Sequence, residues 1–151
     1  TTKILMNRKI FFLFFIFFFI NPNLQSAQLT EESSLFFNSL KGDIKEAYDY
    51  AVKNPEMLSN FSCYCGCEKI KHTSNKSCFI KKIDQDIISL TNHSVSCPIC
   101  IDVALTVKYL TQDGFSLKEI RSILDDAYDG YPSTQTKLEL NGGSKKSCCN
   151  E

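Results

Sequence analysis

Apolar and polar positions divide the chain into stretches of different rhythm. Residues 10–20, "IFFLFFIFFFI", are apolar without interruption, follow Arg8 and Lys9, and run into the breaker-rich "NPNLQSAQ". This block has no polar face, so it does not read as an amphipathic helix. It is also well short of the roughly 20 residues that cross a bilayer. A basic flank, an apolar centre and a small-residue exit predict a secretory signal over residues 1–27.

Helix-spaced apolar positions begin at Leu29. Thr30 stands before "EESSLFFNSL", with two acids in the first turn and Leu35, Phe36 and Leu40 on one side, which predicts a capped helix. "DIKEAYDYAVKNP" puts Ile44, Ala47, Tyr48 and Ala51 on one stripe, with Asp43 placed to cap it and Pro55 limiting its end. "PEMLSNF" predicts one further short turn. The rhythm then fails: residues 62–97 are polar, and only residues 86–90, "DIISL", look like a short regular element. Apolar burial alone does not order so polar a stretch, so covalent or coordinate cross-links are expected to hold it. Periodicity returns at Pro98, suited to a first helical turn, with Ile99, Val103, Val107 and Leu110 about four apart and Gly114 as the stop. A second helix follows from the capping box Ser116 to Glu119 and runs through Leu117, Ile120 and Leu124 to Gly130, predicting an antiparallel pair.

No convincing alternating strand, repeat or dinucleotide loop is legible. The fold expected is all-α: a small helical domain over residues 28–131 with a cysteine- and histidine-rich central insert and a helical hairpin on its carboxy-terminal side. Residues 132–151, polar and glycine-spaced, read as a flexible tail ending in Cys148 and Cys149.

Charge narrows the function classes. Loss of residues 1–27 removes Lys3, Arg8 and Lys9 and no acid, so 17 basic side chains fall to 14 against 17 acidic ones, a formal charge of about −3. A nucleic-acid partner would ask for a concentrated basic face, and Lys69, Lys71, Lys76, Lys81 and Lys82 form only a diffuse set. All eight cysteines lie in the part to be exported, where thiols pair unless something protects them.

Cys63, Cys65 and Cys67 alternate, and in an extended backbone residues two apart point the same way, so three sulfurs can aim at one spot. Bonding neighbours of this spacing to each other would close a tight, strained ring, whereas convergent thiolates suit copper(I), zinc or mercury. Pairing of each with a distant cysteine is the competing reading. Gly66 would let the backbone bend close to an ion. Cys97 and Cys100 frame "CPIC" at the start of the long helix, where the helix dipole favours thiolates, for metal binding or for disulfide exchange. The exchange reading normally goes with alternating strands and helices, which are missing. His72 and His93 are the two histidines of the chain, and both lie between cysteine clusters. With Cys78 these residues offer eight donors, enough for one or two tetrahedral sites. Cys148 and Cys149 are adjacent, so they are expected to grip a thiophilic ion together rather than bond to each other.

In order along the chain, "NPEMLSNFSCYCGC", "HTSNKSCF", "HSVSCPIC" and "GFSLKEIRSILDDAY" resemble the exported bacterial proteins defined by a Pro-Cys-Tyr-Cys-Gly-Cys motif, the C-Y-C-x-C family, some of whose members carry selenocysteine. The resemblance spans about residues 48–131. Here Ser62 replaces the usual proline, Lys71 stands where a glycine precedes the histidine, and Pro98 stands where glycine is common. The lipid-attachment cysteine of many members is absent. Every thiol and imidazole of the pattern is kept, and metal binding is what the motif implies. The terminal pair is also similar to tails on proteins that handle mercury.

The function expected is therefore an exported, periplasmic or extracellular monomer that binds a thiophilic transition metal, copper(I) or zinc before mercury, as carrier, sequestering agent or sensor, and not an enzyme. The ten expected ligands are Cys63, Cys65, Cys67, His72, Cys78, His93, Cys97, Cys100, Cys148 and Cys149. A metal donor or acceptor protein is the expected partner, with membrane association only through an uncleaved signal. Thiol-disulfide exchange through Cys97 and Cys100, or a disulfide-stapled structural protein, are the alternatives.

Overall fold

In the computed structural model, which describes residues 27–66 and 71–134, Thr30 caps the first helix. Its Oγ1 accepts from the Ser33 N–H at 3.2 Å, and α1 runs over Glu31–Ser39. The second helix, α2, spans Gly42–Lys53. Asp43, expected to cap it, instead lies inside its first turn, where a carboxylate still favours the helix dipole; the capping position is Lys41, with no side-chain cap. Pro55 ends that helix in effect by starting the next, the single turn α3 at Pro55–Leu58.

The long helix, α4, covers Pro98–Gln112 with Pro98 at its start. It stops as Gly114 predicts. Gly114 adopts a φ of 88° and its N–H reaches the Thr111 carbonyl at 3.1 Å, while the Phe115 N–H reaches that of Leu110 at 3.0 Å, the paired bonds that close a helix on a left-handed glycine. The capping box then launches α5, Leu117–Ala127: the Glu119 N–H donates to Ser116 Oγ at 3.4 Å and the Ser116 N–H to Glu119 Oε2 at 2.8 Å.

The fold is helix-rich but not all-α, because a three-stranded sheet accompanies the helices. Strand β1 is Gln28–Leu29, β2 is Ile80–Asp84 and β3 is Ile87–Leu90, in the order β1-β3-β2. The first pair is parallel, with Gln28 beside Ile87 and Leu29 beside Ile88, and the second is an antiparallel hairpin with Ile83 beside Ile88 and an irregularity between Ile80 and Lys82. Of the sheet only β3 left a trace in the pattern, as the short regular element read over residues 86–90. β2 buries Ile80 alone, β3 buries Ile88 alone, and the turn uses Gln85 at a φ of 53° instead of the Asn or Gly that announces a hairpin.

Tyr48 anchors the core. It is fully buried, its hydroxyl donates to the Thr91 carbonyl at 2.6 Å, and Phe36 and Phe79 meet its ring edge-on at 5.4 and 4.9 Å. Ala47 and Ala51, small residues of the same helix, let α2 lie along α4, whose Val103, Ala104 and Val107 are buried. On the surface the two helices are joined where Glu46 Oε1 accepts from Lys108 Nζ at 2.6 Å and from the Tyr109 hydroxyl. Ile120 and Leu124 bring α5 into the same core.

The central insert is less dependent on cross-links than its polarity suggests. Phe79 and Ile88 within it, and Phe61 just before it, are buried to within 1%, and each apolar side chain of that kind contributes about 1.5–3 kcal/mol. Thr134, assigned by its composition to the tail, is also buried and returns to the start of the insert.

Candidate metal centre

Three separate segments deliver the cysteines to one place: the loop after α3, a 3₁₀ turn at Asn75–Cys78, and the start of α4; a second 3₁₀ turn at His93–Ser96, which carries His93, leads into α4. Cys63 and Cys65 project to the same side, as their alternation implies, with Sγ atoms 2.9 Å apart. Tyr64 between them points the other way. Its buried ring stacks on Tyr128 at 4.9 Å, and its hydroxyl donates to Asp125 Oδ1 at 2.6 Å, so α5 holds the loop from behind.

The loop is gripped from both ends of its turn. Thr134 Oγ1 accepts from the Cys63 N–H at 2.9 Å, the Thr134 N–H donates to the Cys63 carbonyl at 3.0 Å, and Ser62 Oγ donates to the Thr134 carbonyl at 2.9 Å. Gly66 turns the chain with a φ of 71°, and a Cβ there would stand 3.3 Å from Pro132 Cγ. Its glycine is therefore explained by the left-handed turn and by Pro132 lying over it.

Cys78 ends the first 3₁₀ turn, where Ser94 Oγ donates to its carbonyl at 2.5 Å. Asn75 at the head of that turn is fully buried, and its Nδ2 donates to the Cys100 carbonyl at 3.3 Å. This ties the Cys78 segment to α4. Cys97 takes the capping position of α4, and Cys100 lies one turn in, with its N–H reaching the Cys97 carbonyl at 3.1 Å.

The sulfurs of Cys63, Cys65, Cys78 and Cys100 all lie within 4.8 Å of one another. Cys78 is 3.4 Å from Cys63, and Cys65 is 3.5 Å from Cys100. These two separations fall a few tenths of an ångström short of the edge of a zinc–thiolate tetrahedron, about 3.8 Å for bonds of about 2.3 Å, and Cys63 and Cys65 at 2.9 Å stand closer still. All exceed the 2.03–2.05 Å of a disulfide. All five described cysteines are thiols. The donor set and its spacing therefore fit a soft ion.

Two further expected donors flank the four. Cys97 Sγ is 3.4 Å from that of Cys100, and His72 Nδ1 is 3.4 Å from that of Cys78. His93 meets the His72 ring edge-on at 4.8 Å. Cys67, Cys148, Cys149 and the apolar run of residues 10–20 lie outside the described residues.

Electrostatics show why the centre wants a cation. Hydrogen bonds from Cys100 and then Cys78 hold the Cys63 thiol far below its ordinary value. Cys78 is pushed up by its bonds to Cys100 and Cys63, and Cys100 is pushed up by its bond to Cys63; burial raises both. One thiolate is thus sheltered by protonated neighbours. The helix start, expected to lower thiol pKa values, is outweighed at Cys100 by this neighbouring thiolate. A bound cation removes the conflict by stabilising all the thiolates at once.

Sequence reasoning did not find Asn75, Ser94 or Thr134, which carry no metal-ligand chemistry; only the departure at Ser62 hinted that the loop is held differently here. No helix among the described residues is long and apolar enough to cross a membrane. The family described as proteins of unknown function with a PCYCGC motif matches residues 23–138 of the chain. No curated protein and no solved structure matches it.

Proposed function

We propose that this chain, which belongs to the PCYCGC-motif family, is an exported protein that binds one thiophilic transition-metal ion between Cys63, Cys65, Cys78 and Cys100. The convergence of these four sulfurs within 4.8 Å is the observation that carries this reading. Four thiolates in a tetrahedral arrangement match zinc, and their softness also suits copper(I), with mercury a third candidate. The ion is carried, sequestered or sensed in the periplasm or outside the cell, in exchange with a donor or acceptor protein. Cys148 and Cys149 serve as a capture pair, and the apolar run of residues 10–20 as the export signal.

His72 acts on the ion through Cys78. An imidazole N–H directed at a ligand sulfur fixes its lone pairs and tempers its charge, as neighbours of metal ligands commonly do.

Thiol-disulfide exchange through Cys97 and Cys100 is less well supported, because Cys100 also has Cys65 at 3.5 Å and its pKa is raised by Cys63, whereas an exchange pair works as an isolated couple. Native mass spectrometry of protein purified from its own compartment separates the readings. The mass of one bound metal ion supports the proposal. Metal-free protein lighter by about two hydrogens for each disulfide overturns it.

A further inference from the structure

Cys97 differs from the four converging sulfurs in two ways. It is half-buried, whereas Cys63, Cys78 and Cys100 are buried, and its sulfur adjoins the group through Cys100, at 3.4 Å. The chain around it faces outward: Val95 is 41% exposed, and Ser96 and Pro98 are exposed. Cys65 is half-buried too, but it belongs to the four. A tetrahedral ion is already satisfied by four sulfurs, so a fifth thiol at the rim is a spare ligand placed one step from a resident one.

We infer that Cys97 is the exchange ligand through which the ion enters and leaves, and that the partner it serves presents an exposed thiolate. In release, a metal–sulfur bond forms to Cys97 as the bond to Cys100 breaks. The proton given up by Cys97 goes to Cys100, and no electron changes hands. The ion, still held by Cys63, Cys65 and Cys78, now has one ligand at the rim. There a metal–sulfur bond forms to the partner's thiolate as the bond to Cys97 breaks, Cys97 taking its proton from solvent, and further thiolates of the partner replace Cys63, Cys65 and Cys78 in the same way. Without Cys97, the incoming thiolate must attack the ion where Cys63, Cys78 and Cys100 are buried and only Cys65 of the four is half-buried. This inference deepens the metal-binding reading and rests on it.

The experiment uses reduced full-length protein loaded with one equivalent of zinc, with dithiothreitol as the thiol acceptor. Wild type, Cys97→Ser, Cys97→Ala and Cys100→Ser are compared for ions bound, affinity by chelator competition, and rate of transfer. Both Cys97 variants are expected to hold one ion with affinity within about threefold of wild type, while transfer slows about tenfold or more, the loss falling on rates. Cys100→Ser is expected to lose affinity by more than the roughly 10–100-fold that a supporting residue costs. Transfer at the wild-type rate in either Cys97 variant overturns the inference, and so does loss of the ion, which would make Cys97 a resident ligand. Failure of wild type to take up zinc defeats the metal-binding reading itself and is seen before any variant is compared.

Discussion

Cys65 Sγ lies 3.5 Å from Cys100 Sγ although 35 positions separate them. One belongs to a loop and the other to the first turn of α4, so an ion bound by both closes a long loop of chain. Binding that occurs only in the folded state adds to stability. At free zinc roughly 1,000 times the dissociation constant the gain is about 4 kcal/mol, on the order of 15 °C or more for a domain this small. Calorimetry with and without zinc should show that rise in wild type and its loss in Cys100→Ser. An equal rise in the variant would place the ion elsewhere.

How far this was legible in the sequence depends on how local each feature is. Thr30, Gly114 and the Ser116–Glu119 box act within four residues, so their helices could be read directly. The alternation of Cys63 and Cys65 likewise foretold sulfurs on one side. The hairpin showed only in its second strand, as the regular element read over residues 86–90; its pairing was hidden because Ile80 and Ile88 are its only buried residues, and two apolar positions make no period. Which sulfurs meet was hidden for another reason. Cys78 reaches Cys63 because Phe79 packs on Tyr48 and Ser94 and Asn75 fasten the turn, contacts between segments that spacing does not encode.

Thr134 should behave as part of the centre although it bears no ligand. Thr134→Ala leaves the Cys63 N–H buried without its acceptor, which costs about 1–3 kcal/mol. The same loop then holds its two sulfurs less firmly, so zinc affinity should fall about 10–100-fold. Urea unfolding of the metal-free protein measures the first effect, and chelator competition the second. Thr134→Ser, which keeps the hydroxyl, should restore most of both. If serine proves as damaging as alanine, the hydroxyl is not the group that matters.

His72 and Cys78 offer a direct contrast between a supporting group and a ligand. Their contact at 3.4 Å joins an imidazole nitrogen to one of the four converging sulfurs. His72→Ala should keep one zinc per chain with affinity reduced about 10–100-fold, whereas Cys78→Ser should lose the ion under the same conditions. Cobalt(II) substitution reads the ligand set directly, since the thiolate charge-transfer bands should persist in His72→Ala and weaken in Cys78→Ser. Bands that change as strongly without His72 as without Cys78 would make the histidine a ligand.

The metal-free protein should lose stability in alkali, and the sign follows from the raised thiols. Cys78 and Cys100 titrate above the ordinary value of 9.0 when folded, chiefly because each is bonded to neighbouring sulfurs and also because both are buried. A group whose pKa is raised by folding contributes stability that is complete below its unfolded pKa and disappears as pH climbs toward the folded one. Cys63 has the opposite shift, and its contribution is already in place above 9.0. The melting temperature of reduced, metal-free protein should therefore decline from about pH 9 upward. Zinc should suppress the part of this decline that begins near pH 9, because the bound sulfurs are already thiolates and have no proton left to lose. The part above the ordinary tyrosine value of 10.0, from the hydroxyls of Tyr48, Tyr64 and Tyr128 that burial raises, should remain. In Cys78→Ala the metal-free decline should shrink, since one raised thiol is gone. A wild-type profile that stays flat through the alkaline range would show that the sulfurs do not hold one another's protons, and the crowding that makes this centre receptive to a cation would be absent.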